Sequence, residues 1–398
     1  MKDEALDLEN GLTVGIDATS LRLGGGLTHL VELLGALDPQ EDGIKHVVVW
    51  CGELTLAALP IRPWLTVINP AALNRGLFSR MWWQITALSK AVKTAQCDIL
   101  LLPGANYLGS FRPVVTINQT LLPFDWQAIR SNGISLRACK FLVLRQIQIW
   151  SFRHCDGVIF LTDFAKRLVM QVTGPLSAMT TVIAHGLHPR FSLAPRLQKP
   201  LTNYSNSNPF QLLYVSMVDV YKHHTEVVEA VTLLRQKGYP VYLQLIGPAE
   251  PKSLMKLQGA LNDLGPNQQY VNYAGALSYA ALHAAYHQAD LGIFASSCET
   301  FGMIMLEKMS AGLPIACSNQ SSMAEILQDG GLYFDPFDPS SIASAIEAYL
   351  ESPQLRAAKS QRAFDLAKAY SWSACARATA SFLVRVSQEH RKRPSKAS

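Results

Sequence analysis

The chain has 398 residues, 49% of them hydrophobic, and a formal net charge of +5. That length exceeds the roughly 250–300 residues at which single cores stop growing, so two domains are expected. The modest charge argues against a nucleic-acid binder, which needs a clustered basic face, and seven cysteines without paired or metal-ligand spacing read as reduced cytosolic thiols.

The first ten residues are acidic and lack an apolar core, so they cannot act as a secretory signal. Uncharged runs such as 99–111 are broken by Pro and Gly and fall short of the roughly 20 apolar residues a bilayer demands. A cytoplasmic protein is expected, with any membrane contact peripheral and on the inner face. Strand-like runs then alternate with helix-length amphipathic stretches, the pattern of parallel α/β sheets. First-half strands are predicted at 12–16, 46–50, 98–102, 114–118, 157–161 and 181–184. Gly24, Gly25 and Gly26 open the helix predicted at 27–37 and permit close backbone approach to a ligand.

Residues 75–93 hold four cations, no acid and the adjacent Trp82 and Trp83. A basic, Trp-bearing helix of this kind suits an anionic bilayer surface, although a Trp stripe also serves core packing. Arg130, Arg137, Lys140, Arg145 and Arg153 add cations in the same half. Asn118 and Gln119, at the end of the strand 114–118, can hydrogen-bond a sugar hydroxyl or simply shape the turn.

A polar, Pro-bounded stretch at 195–209 marks the domain boundary. The expected layout is an N-terminal Rossmann-like domain over 1–195, a linker over 196–209, a second Rossmann-like domain over 210–370, and a final helix with a basic tail over 371–398 that packs back on the first domain. The second series of strands is predicted at 212–217, 241–246, 291–295 and 314–317. Ligands of doubly wound sheets sit at the carboxyl ends of the strands, so a two-domain version is expected to bind its ligand in the cleft between domains.

The most informative segment runs Cys298-Glu-Thr-Phe-Gly-Met-Ile-Met-Leu-Glu307 and closes with Ala311-Gly-Leu-Pro314. It reads as a strand end, a glycine turn and a helix from 303 to 311. A helix start presents unpaired N–H groups and a positive dipole end, suited to phosphate, and Thr300, Phe301, Gly302 and Met303 lie there. Glu299 sits in the loop and Glu307 some 7–8 Å further along the helix axis, at 1.5 Å per residue. Two carboxylates so placed can accept hydroxyls on opposite sides of a diphosphate.

Glu299 with Glu307, Phe301-Gly302 and the Ala311-to-Pro314 closure resemble the signature of retaining, nucleotide-sugar-dependent glycosyltransferases of group 1 (family 4), in particular the lipopolysaccharide and O-antigen mannosyltransferase-like branch. The resemblance implies a GT-B fold, two Rossmann-like domains facing each other across a cleft. It implies that Glu299 is the catalytic residue contacting the donor sugar, that the amides after it bind the diphosphate, and that Glu307 holds the ribose. By the same resemblance, Gly24 to Gly26 lie over the diphosphate, Lys222 neutralises it, Gly247 lies near the base, and Asn118, Gln119 and His185 contact the sugar. Two family positions differ: Met217 stands where an Arg is usual, and Asn118-Gln119 where many members carry a His.

The implied activity is hexosyl transfer from a nucleotide diphosphate sugar, such as GDP-mannose or a UDP-sugar, to a saccharide acceptor that is lipid-linked or a surface-polysaccharide precursor. No cofactor and no metal ion are expected, and nucleic acid is excluded as a partner. The alternatives are a catalytically degenerate nucleotide-sugar-binding module and a sugar-nucleotide epimerase on the same frame.

Overall fold

The computed structural model describes residues 11–22, 24–265 and 269–392. The expectations for the first ten residues and for the tail beyond Lys392 lie outside the described residues. The chain forms two compact units. One takes in the chain up to Phe124, Ser135–Gly186 and the chain from Tyr370, and the other takes Asp125–Ile134 and Leu187–Ala369.

The first unit is built on seven parallel strands, β1 (Leu12–Asp17), β2 (Ile44–Trp50), β3 (Leu65–Ile68), β4 (Ile99–Leu102), β5 (Val114–Asn118), β6 (Gly157–Phe160) and β7 (Met179–Val182). Their order is β3-β2-β1-β4-β5-β6-β7. The second unit has six, β8 (Phe210–Val215), β9 (Val241–Ile246), β10 (Val271–Tyr273), β11 (Leu291–Phe294), β12 (Ile315–Ser318) and β13 (Leu332–Phe334), in the order β10-β9-β8-β11-β12-β13. Helices cover both faces of such sheets, which is why β4, β5, β6, β11 and β12 are buried along their whole length and mostly apolar. In each sheet the strand order reverses once, between β1 and β4 and between β8 and β11. Loops leaving those strands diverge to opposite sides and open a crevice at the carboxyl ends.

Three strands escape the sequence pattern, β3, β10 and β13. All are edge strands of three or four residues with half-exposed side chains, too short for a burial period to register. β8 begins two residues earlier than expected. Buried Phe210 pairs with Val241, and the strand ends at Val215 because Ser216 and Met217 turn away where Gly247 crosses them. β7 likewise lies two residues earlier, with Met179 opposite Gly157.

The polar stretch after Pro195 is held along the second unit. Arg196 donates to the carbonyls of His287, at 2.6 Å, and of Ala289, and Arg356 donates to Gln198 Oε1 at 3.1 Å and to the Lys199 carbonyl. The helix Trp372–Lys392 packs on the first unit, with its Trp372 ring 5.6 Å from that of His29 and Arg391 donating to Asp98 at 2.6 Å. Among the described residues no helix is long and apolar enough to cross a membrane.

Candidate functional site

Lys222, Gly247, Glu299 to Met303 and Glu307 lie in the second unit, after β8, β9 and β11. After β8 the chain makes a short turn, Val220–Lys222, whose start is capped by Asp219 accepting from the Val220 amide at 2.7 Å. His223 follows in the left-handed region (φ 51°), and the Tyr214 phenol donates to the Lys222 carbonyl at 2.6 Å. These constraints bury Lys222 and aim its ammonium at the loop after β11, where it pairs with the Glu299 carboxylate. Burial works to lower the Lys222 pKa, but the Glu299 charge, helped by Tyr214, outweighs it and holds the group above its ordinary value.

Glu299 is positioned through its backbone. Its amide donates to Ser321 Oγ at 2.8 Å, and its carbonyl accepts from the hydroxyls of Ser321 at 2.6 Å and Ser322 at 3.1 Å. The helix Met303–Ser310 starts at Gly302, which adopts φ 88° and carries no side-chain cap. A β-carbon there would be strained by that φ and would press on Met323. Thr300 and Phe301 are buried in the turn. Helix starts without a cap leave first-turn N–H groups for a ligand.

Glu307 lies one and a half turns along this helix and is half-buried. Tyr286 donates to its Oε2 at 3.0 Å. Burial pushes the Glu307 carboxyl up to about 7, with the Tyr286 bond and the Lys308 and Arg190 charges pulling the other way. Lys308, the next residue, was not singled out from the sequence. It is fully buried, donates to the Val215 carbonyl at 3.3 Å and stands over the Phe294 ring at 5.1 Å, the same ring that Lys222 approaches at 5.6 Å. Burial brings its amine down to about 7. A readable signal existed: Gly292 in an otherwise bulky strand leaves room for the Lys308 stem, and a β-carbon there would sit 3.0 Å from Lys308 Cδ.

Gly247 has a structural reason for its identity. Its φ is 146°, and a β-carbon would fall 2.0 Å from the Ser216 carbonyl oxygen, so the crossing of the β8 and β9 ends requires glycine. Met217, beside it, is 40% exposed and offers no charge where the resemblance places an Arg.

The remaining predicted residues belong to the first unit. Gly24 and Gly25 have open space around them, while a β-carbon on Gly26 would meet Gln119 Oε1 at 2.7 Å, so that glycine and Gln119 are neighbours. Asn118 is fully buried and donates to the Thr120 carbonyl at 3.1 Å, which shapes the turn after β5. His185 is buried against His29, with their Nδ1 atoms 2.7 Å apart, and Trp372 abuts both rings. Burial lowers both imidazoles, His29 to about 4.

Comparison with known proteins gives a family match and a fold match. Residues 200–365 match the family described as glycosyl transferases group 1. Glycogen synthase of Mycobacterium tuberculosis is 26% identical over 242 residues, which cover 59% of this chain and 55% of the relative. O-antigen chain mannosyltransferase B of Escherichia coli is 30% identical over 166 residues, 41% of this chain and 42% of the relative. The chain thus spans about half the length of the curated relatives it matches. Among solved structures, Anabaena Alr3699/HepE in complex with UDP-glucose superposes with a TM-score of 0.68 at 17% identity, over 94% of this chain and all of the other. The fold is GT-B, two Rossmann-like halves, and the match to glycosyl transferases group 1 falls in the second half.

Proposed function

We propose that this protein is a retaining glycosyltransferase that moves a hexose from a nucleotide diphosphate sugar to a saccharide acceptor, the second unit binding the donor and the first the acceptor. The observation that carries this reading is the Lys222–Glu299 pair at the crevice of the second sheet, with Glu307 on the helix that the same loop opens. The names of the relatives support it. One is a glycogen synthase, one an O-antigen chain mannosyltransferase, and a structure of the same fold was solved with UDP-glucose.

In this reading each member of the pair is the other's counter-charge until a diphosphate takes the Lys222 ammonium. Glu299 is then free to accept sugar hydroxyls and to stabilise positive charge growing on the ring. The departing phosphate draws its stabilisation from Lys222 and the amides around Phe301, Gly302 and Met303, donors already fixed in place. No metal ion takes part, and Glu307 accepts the ribose hydroxyls. Retention follows from front-face attack, in which the departing phosphate helps to deprotonate the acceptor hydroxyl. Gly247 lines the base end.

The acceptor is read as lipid-linked or a surface-polysaccharide precursor, with residues 75–93 meeting an anionic membrane surface from the cytoplasm. In support, Phe78 is 87% and Trp82 70% exposed on the helix Leu77–Trp83. Met217 in place of an Arg favours one rival, a binding module without turnover. Calorimetric titration with UDP-glucose and GDP-mannose, followed by a hydrolysis assay, tests both. Glu299→Gln is expected to keep donor binding within a few-fold and to lower turnover at least 100-fold. Lys222→Met should weaken binding by about 2 kcal/mol, the scale of a hydrogen bond to a charged group. Binding without hydrolysis or transfer would favour the rival, and no binding of either nucleotide sugar would end the reading.

A further inference from the structure

The first sheet has its own crevice, at the carboxyl ends of β1 and β4. A cavity of about 700 Å³ opens there, within the roughly 300–1,000 Å³ range of small-ligand sites. Its walls come from the loop after β1 (Thr19, Ser20, Arg22), the loop after β4 (Asn106, Leu108), and the helices Leu77–Trp83 and Leu136–His154. None of the residues assigned to donor binding lines it.

The lining divides by chemistry. Arg22, Arg80 and Lys140 supply three cations, and no carboxylate lines the cavity. Arg80 is held in place by donating to the Thr19 carbonyl at 3.2 Å, while its buried Nε has no partner among the described residues. Burial lowers the Arg80 pKa, and the charge of nearby Arg22 lowers it further. Two guanidinium groups held together with no acid between them are relieved by an anion. Two acids lie outside the lining: Asp17 is buried and accepts from Gln84 Nε2 at 2.5 Å, and Glu53 shares a smaller neighbouring pocket with Thr19 and Arg22.

The rest of the wall is apolar and shares its helices with the cations: Met81 follows Arg80, Val143, Leu144 and Ile147 lie on the helix of Lys140, and Val143 is 60% exposed. Phe78 and Trp82, on the helix that carries Arg80 and Met81, are exposed. A sugar or a free phosphate would leave that wall without a partner, and a plain hydrocarbon would leave the cations without one. Only a molecule with a charged phosphate joined to an apolar chain answers both halves.

We propose that this cavity binds the phosphate-bearing end of a lipid-linked acceptor, with Arg22, Arg80 and Lys140 on the phosphate and Val143, Leu144 and Ile147 on the first carbons of the chain. The assignment deepens the glycosyltransferase reading and rests on it for the word acceptor. The binding site itself stands on the cavity alone.

The test is calorimetric titration of the full chain with three probes: farnesyl diphosphate, inorganic pyrophosphate and farnesol in dilute detergent. Farnesyl diphosphate should bind at least tenfold more tightly than either of the others. Arg22→Gln, on an exposed loop, should weaken it several-fold, Arg22→Gln with Arg80→Gln at least tenfold, and Val143→Glu at least tenfold without loss of the circular dichroism spectrum. Pyrophosphate binding as tightly as farnesyl diphosphate would reduce the cavity to an anion site and overturn the proposal. Equal binding of farnesol, or insensitivity to the arginine changes, would reduce it to a greasy surface and overturn it too, as would no binding at all. UDP-glucose and GDP-mannose titrated into the same variants keep the two readings apart. Failure of both nucleotide sugars to bind wild type refutes the donor site, whereas the farnesyl diphosphate result decides the cavity.

Discussion

If Glu307 holds the ribose as a carboxylate, donor affinity must depend on pH in a way that its burial dictates. The carboxyl titrates at about 7 instead of its ordinary 4.5, because burial beside Tyr286 disfavours the charge. When only the ionised form accepts both ribose hydroxyls, the apparent dissociation constant scales as 1 + 10^(pKa − pH). Binding should then be nearly unchanged from pH 9 to 8, weaken about tenfold by pH 6, and fall about a hundredfold by pH 5. UDP-glucose and GDP-mannose suit the titration because their diphosphates are diesters with no proton to exchange in this range, whereas free UDP would add its own. Glu307→Gln should bind more weakly at pH 8 by about 1–3 kcal/mol, the cost of a lost charged hydrogen bond, and should show no such slope. A wild-type affinity flat between pH 8 and 5.5, or a glutamine variant with the same slope, would refute the role given to Glu307.

Acid should destabilise the first unit through His29, whose pKa burial lowers. Its unfolded value lies near 6.5 and its folded value near 4, so the unfolded chain binds more protons between them, and stability is lost as pH falls through that window. The loss reaches about 3 kcal/mol, at 1.36 kcal/mol per unit. Urea unfolding of wild type and His29→Gln between pH 7.5 and 4 checks it, since the variant should lose less on acidification, and parallel curves would remove the argument. Gly247→Ala should destabilise the second unit by about 2 kcal/mol or more, from its positive φ and the Ser216 carbonyl in the path of the new methyl. An unchanged urea midpoint would mean the β8–β9 crossing relaxes freely.

Much of the frame could be read from the chain alone. Central strands of a parallel sheet are covered on both faces and are therefore rich in apolar residues, so the spans expected for β5 and β9 match the observed ones even though Thr116, Asn118 and Gln244 interrupt them. The Cys298-to-Glu307 string marked its own loop and helix, because a left-handed glycine and a helix start leave a local trace in residue type. What stayed hidden was set by neighbours distant in sequence. Lys222 looks like a surface lysine until Tyr214 and Glu299, 8 and 77 residues away, bury and pair it. His29 shows nothing of its bond to His185, 156 residues on. Lys308 is one more helical cation until Gly292 opens a slot for it. Sequence alone determined the two α/β halves and the loop-and-helix string that carries Glu299 and Glu307, since propensity and burial period act over a few residues. Tertiary structure alone decided which charges are buried, which pKa values move and where three cations meet an apolar wall, because desolvation and Coulomb energy depend on distance in space.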